Sequence, residues 1–137
     1  MKHYVLDSCA LIAMIQDEKG ADIVADAING AYDGKTALRM NKMNFFEVYY
    51  YLYRKLGKEK ADMMASELKK HPIFINSEIS DAILSEAVRM KVNYKMSVAD
   101  SFAVAETLVF GGELMTADHH ELDAVEGKEK IRFCWIR

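Results

Sequence analysis

The sequence predicts an α/β protein in which a mainly parallel sheet is covered by helices on both faces. Short apolar segments alternate along the chain with longer segments whose apolar residues recur at helical spacing. Strands that are separated by helices pair in parallel, because the helix carries the chain back across the sheet. The 137 residues contain no repeat, linker or charge block, so we expect a single domain over residues 1–137.

The first half of the chain contains two of the predicted strands and four of the predicted helices. In order, the patterns predict a strand over His3–Leu6, helices over Ser8–Gln16 and Ala21–Ile28, a strand over Lys35–Arg39, and helices over Asn44–Leu56 and Lys58–His71. Residues that interrupt helices supply three of the boundaries, because Asn29-Gly30 closes the second helix, Gly57 the third and Pro72 the fourth.

The second half of the chain continues the alternation. In order, the patterns predict a strand over Ile73–Ile75, helices over Ser80–Met90 and Ser97–Phe110, a strand over Glu113–Thr116, a short helix over His119–Val125 and a strand over Ile131–Ile136. In open parallel sheets, ligands bind outside the carboxyl ends of the strands, where the strand order reverses. We therefore expect the functional residues at that edge.

Composition and charge restrict the classes of function. The 18 basic and 21 acidic residues give a formal charge of −3, which argues against a protein that binds nucleic acid through a basic surface alone. An enzyme that reaches a polyanion through bound metal is compatible with this charge. The longest unbroken apolar run, Cys9–Ile15, is too short to cross a bilayer, and the N-terminal residues do not resemble a signal peptide. We expect a cytoplasmic protein that has no membrane segment and no structural disulfide.

Two aspartates are predicted to lie at the carboxyl ends of strands. Asp7 directly follows the first strand, and Asp118 comes shortly after the fourth. Each could instead be a helix N-cap, since aspartate is favoured there. Their shared position at one edge of the sheet is the argument for a functional site.

Two further acids lie on helices. Asp100 is at the start of the Ser97–Phe110 helix, where a capping box with Ser97 is the alternative interpretation. Glu47 is the only acid in the apolar helix Asn44–Leu56, and burying it is costly unless something positive meets it. A solvated position on the helix edge is the alternative for Glu47.

The four acids together favour a site for a hard cation. No cluster of His or Cys has zinc-like spacing, so oxygen ligands favour Mg²⁺ or Mn²⁺. Carboxylates in one pocket repel one another, and a divalent ion relieves that repulsion. Such a site can polarise a phosphate and generate an attacking hydroxide.

Four segments of the chain resemble the acidic motifs of PIN domains, most closely those of the small VapC-type toxins. The segments are Val5-Leu6-Asp7-Ser8, Asn44-Phe45-Phe46-Glu47-Val48, Ser97-Val98-Ala99-Asp100-Ser101 and Thr116-Ala117-Asp118. The resemblance covers essentially the whole chain, in the right order. It implies a three-layer α/β/α sandwich and a Mg²⁺- or Mn²⁺-dependent endoribonuclease, the toxin of a toxin–antitoxin pair.

The resemblance also assigns residues and partners. It implies that Asp7, Glu47, Asp100 and Asp118 are the catalytic, metal-binding acids. In relatives, hydroxyl groups at the positions of Ser8 and Thr116 accompany the first and last of these acids. It further implies an RNA substrate, a cognate antitoxin and a homodimer.

Some features depart from the motifs or have other interpretations. The sequence after Asp118 differs from that of many relatives, which leaves Asp123 as the alternative fourth acid. We interpret His119 and His120 as a solvated helix start, with a role in binding metal or RNA as the alternative. The tyrosines of the Asn44–Leu56 helix are expected to pack in the core, with any surplus aromatic face contacting a second copy in a dimer or a protein partner.

The main rival function is a non-catalytic PIN-like scaffold that binds RNA or protein. Degenerate sites usually lose an acid, and this chain keeps all four. Receiver-like domains and haloacid-dehalogenase-type phosphatases also carry acids at strand ends. They fit poorly, because the residues after Asp7 are Ser8 and Cys9, where those classes need a further acid.

Overall fold

A computed structural model of the protein describes residues 1–137 and contains five strands and seven helices. In chain order these are β1 (Lys2–Leu6), α1 (Ser8–Ile15), α2 (Ala21–Tyr32), β2 (Thr36–Asn41), α3 (Lys42–Leu56), α4 (Lys58–Leu68), β3 (Ile73–Asn76), α5 (Asp81–Asn93), α6 (Val98–Phe110), β4 (Glu113–Thr116), α7 (His119–Leu122) and β5 (Arg132–Trp135). The type and order of every predicted element are confirmed, and the differences are at element boundaries.

The clearest boundary difference is in α2, which continues past Ile28 to Tyr32. Gly30 lies inside this helix, where a Cβ atom would come within 3.0 Å of the Thr36 side chain on β2. The glycine therefore permits close packing of helix against strand and does not end the helix. Gly34 makes the turn instead, at a φ of 72° that glycine adopts without strain.

The five strands form one parallel sheet in the order β3-β2-β1-β4-β5. Strands β2 and β3 lie to one side of β1, while β4 and β5 lie to the other. The strand order therefore reverses between β1 and β4, and the carboxyl ends of these two strands mark the crevice in which such folds bind ligands. None of the helices combines the length and the hydrophobicity that a membrane span requires.

Helices cover both faces of the sheet, as predicted for a three-layer α/β/α sandwich. On one face, α1 to α4 pack over a core that includes Leu6, Leu38 and Met40 from the strands. On the other face, α6 lies against Val5 and Leu114, and α5 packs on α6 from outside. This arrangement brings the first turn of α6 to the edge where β1 and β4 end.

A buried polar network fixes α6 to β2 and β3. The Glu106 side chain on α6 is fully buried, and its carboxylate accepts a hydrogen bond of 2.8 Å from Arg39 Nε. The same carboxylate accepts further hydrogen bonds from the side-chain amides of Asn41 and Asn76, at 2.9 and 3.0 Å. A buried carboxylate is stable only when it is paired in this way, so these contacts define how α6 lies on the sheet.

Candidate active site

Asp7 lies at the crevice between β1 and β4 and is fully buried. Its Oδ1 accepts a hydrogen bond of 2.9 Å from the main-chain N–H of Ala10, so it caps α1 as the alternative interpretation proposed. Its Oδ2, however, has no hydrogen-bond partner. A buried oxygen of this kind is costly, and the cap does not account for it.

Asp100 lies in the first turn of α6 and is 4% exposed. Ser97 caps the helix by accepting a hydrogen bond of 3.1 Å from the Asp100 main-chain N–H. In a capping box, the Asp100 carboxylate would bind the Ser97 N–H in return, but that N–H donates to Glu121 at 3.0 Å. The Asp100 Oδ2 is also buried without a hydrogen-bond partner. Asp100 is therefore not explained by helix capping.

Asp118 caps the short helix α7. Its Oδ1 accepts a hydrogen bond of 3.2 Å from the Glu121 N–H, and its own N–H donates to Thr116 Oγ1 at 3.0 Å. Thr116 is fully buried at the end of β4, so the main chain at Asp118 is held rigidly. Asp123, the alternative fourth acid, is exposed and pairs with His119 at 2.7 Å.

Three carboxylates converge at this edge. Oxygen atoms of Asp100, Asp118 and Glu121 all lie within 4.8 Å of one another. The sequence analysis did not assign Glu121 to the site. The available signal was its spacing, because Glu121 lies three residues after Asp118, the N-cap of α7, and therefore one turn further along the same helix start.

Glu47 approaches the site from α3. It is half-buried, and its Oε1 accepts a hydrogen bond of 2.7 Å from Ser8 Oγ at the start of α1. Asn44, one turn earlier, donates to the main-chain oxygen of Ala99 at 3.0 Å and so ties α3 to the start of α6. Glu47 is therefore held close to Asp7 and is not a free residue on a solvated edge.

Burial and mutual repulsion shift the pKa values of these acids. Burial raises the pKa of Asp7 to about 7, with smaller contributions from the negative charges of Asp118 and Glu47. Burial also raises the pKa of Asp100 well above its usual range. The neighbouring carboxylate of Glu121 adds to the raised pKa of Asp100, while the closeness of Asp100 lowers the pKa of Glu121, so the two acids titrate as a pair.

The donor set fits a hard divalent cation. All the converging side chains offer carboxylate oxygens, and the unpartnered oxygens of Asp7 and Asp100 are the kind of atom that a cation would satisfy. Cys9 lies in the same negative field, and burial raises the pKa of its thiol far above the usual range, so the thiol is neutral in the metal-free protein. Oxygen ligands of this kind suit Mg²⁺ or Mn²⁺ better than Zn²⁺.

The family model of the PIN domain matches residues 4–128. The chain belongs to the PIN domain family. This match runs from within β1 to beyond α7 and includes all the acids described above. No curated protein sequence matches the chain.

Solved structures of VapBC and VapC proteins share the PIN fold of this chain at low sequence identity. The DNA-bound VapBC from Salmonella typhimurium matches with a TM-score of 0.72 and 10% identity over 100% of both chains. VapBC-1 from nontypeable Haemophilus influenzae matches with a TM-score of 0.71 and 13% identity over 98% of both chains. VapC20 from Mycobacterium tuberculosis, a toxin that cleaves the sarcin-ricin loop, matches with a TM-score of 0.57 and 14% identity over 82% of this chain and 86% of that one.

Proposed function

We propose that this PIN domain is a Mg²⁺- or Mn²⁺-dependent endoribonuclease that acts in the cytoplasm as the toxin of a toxin–antitoxin pair. The observation that carries the proposal is the group of buried carboxylates at the β1–β4 crevice, in which Asp7 and Asp100 each leave an oxygen without a partner. A scaffold would have no reason to keep these destabilising groups. The RNA-cleaving neighbour from Mycobacterium tuberculosis supports the choice of RNA as the substrate.

The chain's residues have distinct tasks in this proposal. Asp7, Glu47, Asp100 and Asp118 hold the divalent ion together with Glu121, while Ser8 and Thr116 orient Glu47 and the main chain at Asp118. When bound, the ion would polarise the scissile phosphate and would lower the pKa of a water molecule, so that hydroxide is available as the nucleophile.

Hydrogen bonds hold two of the acids in fixed positions. Asp7 is fixed by its hydrogen bond to α1, and Asp118 by its hydrogen bonds to Glu121 and Thr116. Because these groups are held before substrate arrives, little reorganisation is needed during the reaction.

The first test is metal dependence. We expect the protein to cleave single-stranded RNA with Mg²⁺ or Mn²⁺ and to lose activity in EDTA, because the carboxylates alone repel the phosphate. Ca²⁺ should support cleavage poorly, since it prefers longer bonds and more ligands. The measurement is gel analysis of a labelled RNA, with Mn²⁺ binding followed by calorimetry. Cleavage at full rate in EDTA would refute the proposal, and Mn²⁺ binding without cleavage would favour the scaffold.

We further propose that an antitoxin segment binds an aromatic groove on α3. The groove has a volume of about 500 Å³, and its floor includes the exposed rings of Phe46, Tyr50 and Tyr53. Lys42, Arg54 and Lys69 line the same groove, so its occupant is expected to combine apolar anchors with acidic residues. The prediction that the tyrosines pack in the core is wrong for these exposed rings, although Tyr49 and Tyr51 do pack against the core. A basic residue of the same segment would inhibit by pairing with the carboxylates.

A homodimer is the second assembly that we propose. Leu84, Val88 and Val92 recur at four-residue spacing on α5, and each is exposed by 48% or more. We expect a dimer at micromolar concentration in sedimentation experiments and a monomer for Val88→Glu, because a charge in an apolar interface is costly. Met63→Glu, at a site on α4 that is also more than half exposed, should remain dimeric. A wild-type monomer at micromolar concentration would rule out this assembly.

A further inference from the structure

Three aromatic rings form a ladder beside the acid cluster. The ring of His119 stacks on Trp135 with centroids 3.8 Å apart and planes 14° apart. Trp135 in turn stacks on Phe133 at 4.8 Å and 9°. The sequence analysis interpreted His119 as a solvated helix start, yet its ring is part of this ordered stack.

The ring of His119 is fixed in orientation. Its Nδ1 lies 2.7 Å from a carboxylate oxygen of Asp123, and its Nε2 lies 2.8 Å from the main-chain oxygen of Arg137. Trp135 covers one face of the ring, but the His119 side chain is still 48% exposed. Because Trp135 covers one face of the ring, the exposed part of the side chain includes the other face. The two hydrogen bonds of the ring nitrogens fix the orientation of this flat face before any ligand binds.

The ladder lies at the same edge of the sheet as the candidate metal ligands. His119 directly follows Asp118 in the chain and starts α7, the helix that also carries Glu121. Trp135 is the register partner of Thr116 on the neighbouring strand β4, and Ile136 N–H donates to the Thr116 main-chain oxygen at 3.0 Å. The main chain of His119 therefore lies next to Asp118, one of the candidate metal ligands.

We propose that the open face of His119 is a stacking platform for one nucleobase of the RNA substrate, next to the scissile phosphate. This proposal rests on the proposed nuclease function. Stacking on a planar side chain contributes about tenfold or more in affinity for each base. A fixed ring adds to this gain, because little side-chain freedom is lost on binding.

The platform would recognise the flat face of a base and not its hydrogen-bonding edge. Both ring nitrogens are already hydrogen-bonded, so neither is free to read the edge of a base. Every base has a flat face, and the platform therefore holds a nucleotide in place with little preference for its identity. Its occupant is a base of a flexible single strand, since a base inside a duplex stays stacked on its neighbours.

The test compares intact RNA with RNA that lacks one base. Single-stranded decamers with one abasic nucleotide near the mapped cleavage site are measured for kcat/KM in Mn²⁺ and for affinity by anisotropy in Ca²⁺. With wild-type protein, we expect one abasic position to lower both quantities about tenfold. His119→Ala should lower both by a similar factor on intact RNA and should be insensitive to the same abasic change. His119→Phe, which keeps a ring, should recover most of the loss.

His3→Ala is the control, because this histidine is also exposed, stacks on no ring and lies at the opposite end of β1 from the candidate site. It should behave as wild type on every decamer. If wild-type protein cleaves intact and abasic decamers equally at every position, or if His119→Ala is still sensitive to the abasic change, the platform is refuted while the nuclease proposal stands.

The nuclease proposal can also fail while base stacking on His119 is observed. If nothing is cleaved, decamers with the abasic nucleotide at each position in turn are tested for affinity alone; losses that depend on His119 would then show base stacking on its ring, but would refute the nuclease and with it the placement next to a scissile phosphate. A wild-type protein that neither binds nor cleaves the decamers would refute both.

Discussion

Replacing Asp100 by asparagine is expected to lower the rate of RNA cleavage about a hundredfold or more. The substitution keeps the size of the side chain and removes its negative charge from a desolvated site beside Asp118 and Glu121. A divalent ion is attracted strongly to such a charge because the site is screened little by water. Mn²⁺ affinity, measured by calorimetry, should fall in parallel with the cleavage rate.

The same substitution should raise the stability of the protein in EDTA. The pKa of Asp100 is higher in the folded protein than the value of about 3.9 in an unfolded chain, so above that pH the folded state binds more protons. The free energy of unfolding contributed by this group therefore falls as pH rises from about 4, and Asp100→Asn removes that loss. The control is Asp81→Asn, an exposed acid in the first turn of α5. If Asp100→Asn melts earlier than wild type, Asp100 has a structural role and not a metal-binding one.

The position of the site could be predicted from sequence because it depends on strand ends. Asp7 and Asp118 follow strands, and the carboxyl ends of parallel strands meet at one edge of the sheet. The start of α6 could also be predicted, since Ser97 is a favoured N-cap. Both features depend on residues that are close in sequence, so hydrophobic periodicity reveals the strand ends and residue type reveals the helix N-cap.

The contacts that distinguish a cap from a ligand could not be predicted. Glu121 from α7 accepts the hydrogen bond of the Ser97 N–H and so leaves the Asp100 carboxylate free. That contact joins residues 24 positions apart in the chain. For the same reason the stack of His119 on Trp135 was not visible, because it depends on how α7 lies against β5.

The buried network around Glu106 had no signal in the sequence either. Glu106 follows a run of small apolar residues in α6 and resembles an ordinary charged residue of a helix surface. Its partners Arg39, Asn41 and Asn76 lie on β2 and β3, at least 30 residues away. Only the packing of α6 across the sheet brings these four side chains together.

Glu106→Gln is therefore expected to have a large effect on stability, a loss of about 3 kcal/mol in the free energy of unfolding. The substitution leaves the Arg39 guanidinium without its counter-charge, and the new amide group would point a donor at the donors of Asn41 and Asn76. Urea denaturation measures the loss, and Glu59→Gln on the surface of α4 should change stability little. Because α6 also carries Asp100, a stable Glu106→Gln variant should bind Mn²⁺ more weakly than wild type. Unchanged stability would mean that the apolar contacts of α6 alone determine its position on the sheet, and that the buried ion pair contributes nothing to it.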